Sequence, residues 1–240
     1  MFIHQGKRRT SRHNLQIASL LSFVAGIVNV AGFLAIARLT TNVTGHFAFF
    51  VDEVFKLNFW NGFLYFLYIF FFFIGSFSSS FLVEMLSRKN DNYAYVVPTS
   101  IECAILILAA LLGESLIPTH PNLIACSLLF AMGLQNSLVT RISNSVVRTT
   151  HLTGLFTDLG IELSQLFFHR DGQVRKKLFE SIRLRLTIIS LFFIGGIIGG
   201  VFYSKIGLMV LLLASIALVT GIVYDSVRLR VRLIARKYRN

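Results

Sequence analysis

Residues 40–47 read TTNVTGHF, and residues 149–156 read TTHLTGLF. Five of the eight positions are identical: the paired threonines, the Thr-Gly and the closing Phe. Such a polar, glycine-broken stretch is out of place in a chain that is 55% hydrophobic and only 14% charged. An ordinary soluble domain carries about 25% charge. The stretch occurs twice, so it marks a repeat.

The match extends outward from both copies. Upstream, GIVN (Gly26, Asn29) parallels GLQN (Gly133, Asn136) at a shift of 107. Downstream, Glu53 falls on Glu162 at the 109-residue shift of the Thr-Gly pairs, and FIGSFSSS from Phe73 resembles FIGGIIGG from Phe193. A membrane crossing needs about 20 mostly apolar residues, and six stretches qualify: residues 15–37, 61–86, 93–113, 122–140, 182–203 and 206–225. Residues 44–59 make at most about 24 Å of helix, short of a bilayer core of about 30 Å. They and residues 151–168 are expected to be re-entrant. Each half then holds three full spans, an odd number, so the second half enters the membrane from the opposite side. The expected fold is an all-α membrane protein of six transmembrane helices, arranged as two inverted three-helix repeats, each with a re-entrant broken-helix segment. The first repeat covers residues 1–120, with a basic cytoplasmic N-terminus over 1–14. The second covers 121–240, with a basic cytoplasmic tail over 226–240.

The net charge of +12 would suggest nucleic acid in a soluble chain. Here the excess of Lys and Arg in cytoplasmic loops explains it. In the six-span arrangement 20 of the 23 basic residues lie inside and both termini are cytoplasmic. If both broken segments crossed fully, eight spans in a parallel repeat would divide the charge 17 to 6, a poorer separation. The expected partner is the lipid bilayer, with no nucleic acid. The first apolar run is 23 residues long, beyond the 7–15 residues of a signal-peptide core, and is read as a retained span. Cys103 and Cys126 fall in separate spans and are read as packing residues.

The segments GIVNVAGFL…VTGHF and AMGLQNSLVTRI…TGLFTDLG resemble the YoaK-like family of bacterial integral membrane proteins, and the resemblance covers nearly the whole chain. It departs from that family's pattern at Asn29, where Asp is more usual, and at His46, where Asn commonly follows Thr-Gly. The resemblance implies a compact multi-span protein of the bacterial cytoplasmic (inner) membrane and no established activity.

Function must be read from the polar residues. Inverted repeats typify secondary transporters, whose sites lie at mid-membrane where broken helices meet. A helix that begins inside the membrane leaves four N–H donors unpaired. Thr44 and Thr153, at or next to the N-cap, would supply an acceptor, and Gly45 and Gly154 would allow close approach. Two such N-termini facing each other make a donor-rich pocket suited to an anion or carboxylate, with Asn29 and Asn136 as its walls. The competing reading is a tight helix crossing, with the caps satisfied by neighbours and with Asn29, Gln135 and Asn136 simply bonding between helices. Intramembrane acids are functional candidates. Asp158, about 7 Å past its Thr, leads for proton or cation coupling, ahead of Glu162 and Glu53 at about 13 Å. Glu102, in the third span, is either a buried protonatable group or paired with a cation.

No G-x-S-x-G, H-E-x-x-H or glycine-rich phosphate loop is present, so no enzyme and no cofactor is expected. His46 and His151 adjoin the broken segments, but no His/Cys/carboxylate set has metal-ligand spacing. The expected function is a small inverted-repeat transporter or permease for a small anionic solute. The alternatives are a non-transporting scaffold or sensor and, third, an intramembrane enzyme. Small-residue ladders at Gly75/Ser79 and Gly195/Gly199 let helix backbones meet, either within one chain or as homodimer faces. The run YFLYIFFFF reads as lipid-facing bulk, with Trp60 as an interfacial anchor.

Overall fold

The structure, a computed structural model, describes residues 11–88, 94–143 and 145–237, without the side chains of residues 11 and 228–237. The basic N-terminal cluster at residues 7–9, Lys89 and the side chains of the basic tail lie outside the described residues. Among those described, the chain forms eight α-helices and no strand. They are α1 (Ser11–Ile36), α2 (Val43–Phe55), α3 (Phe59–Ser87), α4 (Val96–Leu116), α5 (Pro121–Ile142), α6 (Leu152–Phe168), α7 (Gly172–Ile206) and α8 (Leu211–Lys237), with a 3-10 turn at Gly207–Val210.

Five helical stretches are long and apolar enough to cross a membrane: Arg12–Ile36, Phe59–Ser87, Val96–Leu116, Pro121–Ile142 and Gly172–Val227. The last is 56 residues long, far more than one crossing takes, and it is broken at Gly207. There φ is +56°, and a Cβ would lie 2.0 Å from Glu114 Oε1, so only glycine fits. The Leu208 N–H donates to that carboxylate at 2.7 Å. Beyond the break the chain doubles back, and Leu191 of α7 and Tyr224 of α8 share one groove beside Gln16 and Phe23 of α1. Helices α2 and α6, with 13 and 17 residues, are about 20 and 26 Å long. Both fall short of a bilayer core, as expected for the broken segments. Helix α7 begins ten residues before the expected span. Asp171 Oδ1 caps it by accepting from the N–H groups of Gln173 and Val174, and no breaker interrupts the charged run that follows.

The first helix of each half packs along the third helix of the other half, α1 on α7 and α5 on α3. These contacts are backbone to backbone. A Cβ on Gly26 would lie 2.1 Å from the Phe192 carbonyl oxygen, and one on Gly195 would lie 2.2 Å from that of Phe23. The same pair recurs as Gly133 against Phe72 (2.2 Å) and Gly75 against Phe130 (2.1 Å). The sequence repeat is therefore also a repeat of contacts. Lipid tails are as apolar as Leu, so close small-residue packing of this kind is what holds such helices together. It also shows what the faces named for a homodimer meet within the chain. Gly75 and Gly195 face Phe130 and Phe23 of the same chain, Gly199 faces Ile27, and Ser79 is fully buried. These ladder positions are spent on crossings within one copy.

Helix directions follow from the contacts. Tyr68 meets Asn122, Ser76 meets Gly133 and Ser80 meets Arg141, so α3 and α5 run the same way. Phe23 meets Gly195 and Ile27 meets Gly199, so α1 and α7 do too. By contrast, Gln135 reaches Leu21 while Leu128 touches Gly32, so α1 and α5 run in opposite directions. Cys103 with Ser215, and Glu114 with Leu208, make α4 and α8 opposite as well. The core is built from α1, α4, α5 and α8, around residues such as Leu21, Leu106, Met132 and Leu211. Helix α3 instead turns Phe63, Phe66, Phe70, Phe73, Phe77 and Phe81 outward, a stripe at helical spacing. This is the lipid-facing bulk expected of the run, with Trp60 70% exposed at its start.

Candidate functional site

The two breaks are built alike. Thr40 Oγ1 donates to the Val28 carbonyl (3.1 Å), and Thr41 Oγ1 donates to Asn29 Oδ1 (2.7 Å). In the second copy Thr150 Oγ1 donates to Asn136 Oδ1 (2.8 Å), and Thr149 Oγ1 accepts from Gln135 Nε2 (3.3 Å). The paired threonines thus clasp each break against the helix that leads into it. Asn29 and Asn136 serve the clasp, and their amide oxygens are occupied by it.

The caps differ from expectation. Helix α2 begins at Val43, and Asn42 Oδ1 accepts from the Gly45 N–H at 2.9 Å, the usual N-cap bond. Helix α6 begins at Leu152 after His151, which makes no side-chain cap bond. Thr44 and Thr153 lie one residue inside the first turn, exposed, and cap nothing. Nor do the two helix starts converge. Gly45 is covered by Leu39 and Asn42, and Gly154 by His151. Helix α2 packs on α3 and α6 on α7, not on each other. The first break lies beside Val28 and Asn29 of α1. The second is tied through Gln135 to Leu21, whose carbonyl accepts from Nε2 at 3.0 Å. The breaks are therefore about 11 Å apart along α1. The structure does not bring Thr44, Gly45, Thr153 and Gly154 around one volume, because each break spends its polar groups within its own half. His46 is buried under the first break, its ring 5.1 Å from that of Tyr68 and its Nε2 against the Leu39 carbonyl. Among the described residues no three His, Cys, Asp or Glu side chains gather as a metal set.

The acids are also engaged. Arg185 donates from Nε and Nη2 to the two oxygens of Glu162 (3.0 and 2.9 Å), and Asp158 Oδ2 is 3.4 Å from the same Nη2. Ser181 Oγ donates to Glu162 Oε1 at 2.6 Å. In the first copy Glu53 accepts from Asn61 Nδ2 at 3.4 Å, and Asn61 is the repeat counterpart of Ser181. In both halves, then, the acid docks the short helix onto the long one that follows. Arg185 is the partner that sequence reasoning missed. It lies 23 residues past Glu162, across a loop, where no helical spacing reveals it.

A polar groove lies elsewhere. It is open, about 580 Å³ in volume, and lined by Ser76 and Ser80 of α3, Asn136, Ser137, Thr140 and Arg141 of α5, and Ser145 beyond α5. Every side chain lining it is polar. Ser76 Oγ donates to the Gly133 carbonyl (3.2 Å), and Arg141 Nη1 donates to the Ser80 carbonyl and hydroxyl (3.1 and 2.9 Å). Arg141 Nη2 pairs with Glu84, which also pairs with Arg88 at 3.7 Å. The pseudo-equivalent crossing of α1 and α7 is apolar. There Gly196 and Gly200 replace Ser76 and Ser80, and they are touched by Val30 and Leu34 where α5 carries Ser137 and Arg141. One backbone crossing is thus made twice, once with apolar and once with polar side chains. Packing needs only the first version. Of the expected site residues only Asn136 lines this groove. Comparing the two halves position by position would have exposed the contrast.

An all-helical chain with five apolar stretches of spanning length, joined through glycine crossings, is a membrane protein. The chain belongs to the family described as "Protein of unknown function (DUF1275)", which matches residues 17–224. It is similar to the UPF0700 transmembrane protein YoaK of Bacillus subtilis (strain 168), with 26% identity over 193 residues that cover 76% of this chain and 80% of the relative. The YoaK-like resemblance drawn from the Thr-Gly segments and GLQN is therefore sound. No solved structure matches the chain.

Proposed function

We propose that the protein is a small transporter or permease for a small anionic solute, which it takes up from the cytoplasmic side in the Arg141 groove. The observation that carries this is the contrast between the polar α3/α5 crossing and its apolar α1/α7 counterpart, since polarity that packing does not require needs another use. The groove's volume is within the range of about 300–1,000 Å³ seen for small-molecule sites. A guanidinium surrounded by hydroxyl donors suits an anion. Glu84 holds Arg141 in place, and an anion entering the groove would take over part of that pairing.

The architecture proposed with it is the six-span inverted repeat. Opposite directions of α1 and α5, and of α4 and α8, support it, because a parallel repeat would align both pairs. The doubling back at Gly207 supports six crossings, with α7 and α8 as the last two. The charge bias supports cytoplasmic termini, and a bacterial inner membrane is proposed with them. The C-terminal ends of α3 and α5, and the groove with them, then face the cytoplasm. In this reading the protein is not an enzyme. A scaffold or sensor is the second reading, favoured by the way each break is clasped within its own half.

The test is reconstitution of the full chain in vesicles with a panel of labelled organic and inorganic anions. Uptake of one class is expected, reduced at least about tenfold by Arg141→Gln, the loss of roughly 1.4 kcal/mol or more of solute interaction. Arg141→Lys should recover part of it, since the charge returns without the fork. No uptake of any anion would leave the scaffold reading, and uptake indifferent to Arg141→Gln would remove the groove as the solute site.

A further inference from the structure

Glu102 lies within α4, fully buried, and neither carboxylate oxygen has a hydrogen-bond partner. Helices α4 and α5 form a hairpin about residues 117–120. Glu102 and Gln135 are each fourteen residues from its ends, hence at one depth, about 21 Å from the turn. Gln135 is also fully buried. Its Nε2 is spent on Leu21 and Thr149, and its Oε1 has no donor. Three acceptors at one level of the bundle therefore lack a donor.

Among the described residues no side chain supplies the missing charge. Cys103, beside Glu102, turns its thiol to the Ser215 carbonyl of α8. On α5, Arg141 is committed to Ser80 and to Glu84 of α3, and Cys126 lies nine residues nearer the hairpin turn. On α8, Asp225 is ten residues past Ser215, and Glu114 is bound to the turn at Leu208. Among the described residues no ion pair reaches Glu102.

A bare carboxylate in a membrane core, with neither donor nor cation, is a costly form of the side chain. A neutral acid removes the charge and supplies a donor of its own, which neither Glu102 oxygen nor Gln135 Oε1 now meets. We propose that Glu102 is a proton-binding site, its acid proton directed to Gln135. The proton comes from water and returns to water. Gln135 also holds Thr149, so loosening of the second break frees the amide and opens the acid to solvent. Proton binding stands apart from the transport reading; only its coupling to solute movement rests on that reading.

Infrared spectroscopy of the full chain in lipid vesicles near neutral pH separates the carbonyl stretch of a protonated acid from ionised carboxylates. The wild type should show an acid band that is lost in Glu102→Gln and unchanged in Asp158→Asn. Gln is the neutral isostere of the acid, so Glu102→Gln should keep the wild-type melting temperature. In Gln135→Leu, with Glu102 intact, the band should move to the higher frequency of an acid without an acceptor. A spectrum without an acid band, or a band that survives Glu102→Gln, overturns the proposal. So does a band erased by sodium chloride but not by choline chloride, which would assign these oxygens to a sodium ion. A protein that shows the band but takes up no anion removes the transport reading and leaves the proton site standing.

Discussion

A Cβ on Gly133 would lie 2.2 Å from the Phe72 carbonyl oxygen, and one on Gly26 would lie 2.1 Å from that of Phe192. Both obstacles are backbone, which cannot rotate aside as a side chain would. Gly26→Ala and Gly133→Ala are therefore expected to cost about 1–3 kcal/mol each through overpacking, read as lowered melting temperatures in detergent. Gly160 has nothing within 4 Å, and Gly160→Ala should be neutral or gain up to about 1 kcal/mol. Equal melting temperatures for the three would contradict the crossing geometry. Asn42→Ala should cost about 1 kcal/mol by removing the α2 cap, whereas Thr44→Ala should cost almost nothing. Single residues were unevenly legible in the sequence. The glycine ladders announce close crossings by spacing alone. The capping residue does not announce itself, because Asn42, Thr41 and Thr44 are all plausible N-caps within one turn of each other. Only the backbone decides which one reaches the Gly45 N–H.

At the scale of elements, the short helices are held by their carboxylates. Glu162 and Arg185 are only 13% and 18% exposed, so their pairing is shielded from solvent. Arg185→Ala would leave Asp158 and Glu162 facing each other without a cation, and is expected to cost on the order of 2 kcal/mol. Asp158→Asn, at a half-exposed position, should cost less than about 1 kcal/mol. A double-mutant cycle between Glu162→Gln and Arg185→Gln measures the coupling, and a value near zero would show that α6 is not pinned to α7 in this way. Element positions were the most legible part of the sequence. Three of the six expected stretches, 61–86, 93–113 and 122–140, lie within three residues of their helices at both ends, and 15–37 begins four residues late, because long apolar runs bounded by polar clusters leave little freedom. The last stretch, 206–225, starts before the Gly207 break and stops twelve residues short of the end of α8. The largest late start is at α7. Its charged first third is helical through a cap at Asp171 and not through hydrophobicity, so a search for apolar runs starts it late. The groove was illegible for a related reason. Its serines, Asn136 and Arg141 are scattered over three segments and look like ordinary helix polarity until the two halves are compared.

For the whole molecule, the governing feature is the exchange of partners between halves, with α1 on α7 and α5 on α3. Neither half buries its own glycine ridge, so residues 1–120 and 121–240 fold against each other and not as separate bodies. The repeat itself was legible from TTNVTGHF and TTHLTGLF, but the partner exchange was not, since a repeat in sequence does not say which copies touch. In the proposed architecture the opposite directions of α1 and α5 make the repeat inverted, and the side of every loop follows once one terminus is placed. Cysteine accessibility reads those sides directly. In a functional background with Cys103 and Cys126 replaced by Ala, Thr119→Cys and Arg88→Cys report the α4/α5 turn and the end of α3. With membrane-impermeant thiol reagent applied to intact cells, Thr119→Cys should be labelled and Arg88→Cys protected until the cells are opened. The reverse result, Arg88→Cys labelled and Thr119→Cys protected, would contradict the cytoplasmic placement of the termini and of the Arg141 groove, and the same result for both cysteines would contradict the proposed crossing of α4 between them.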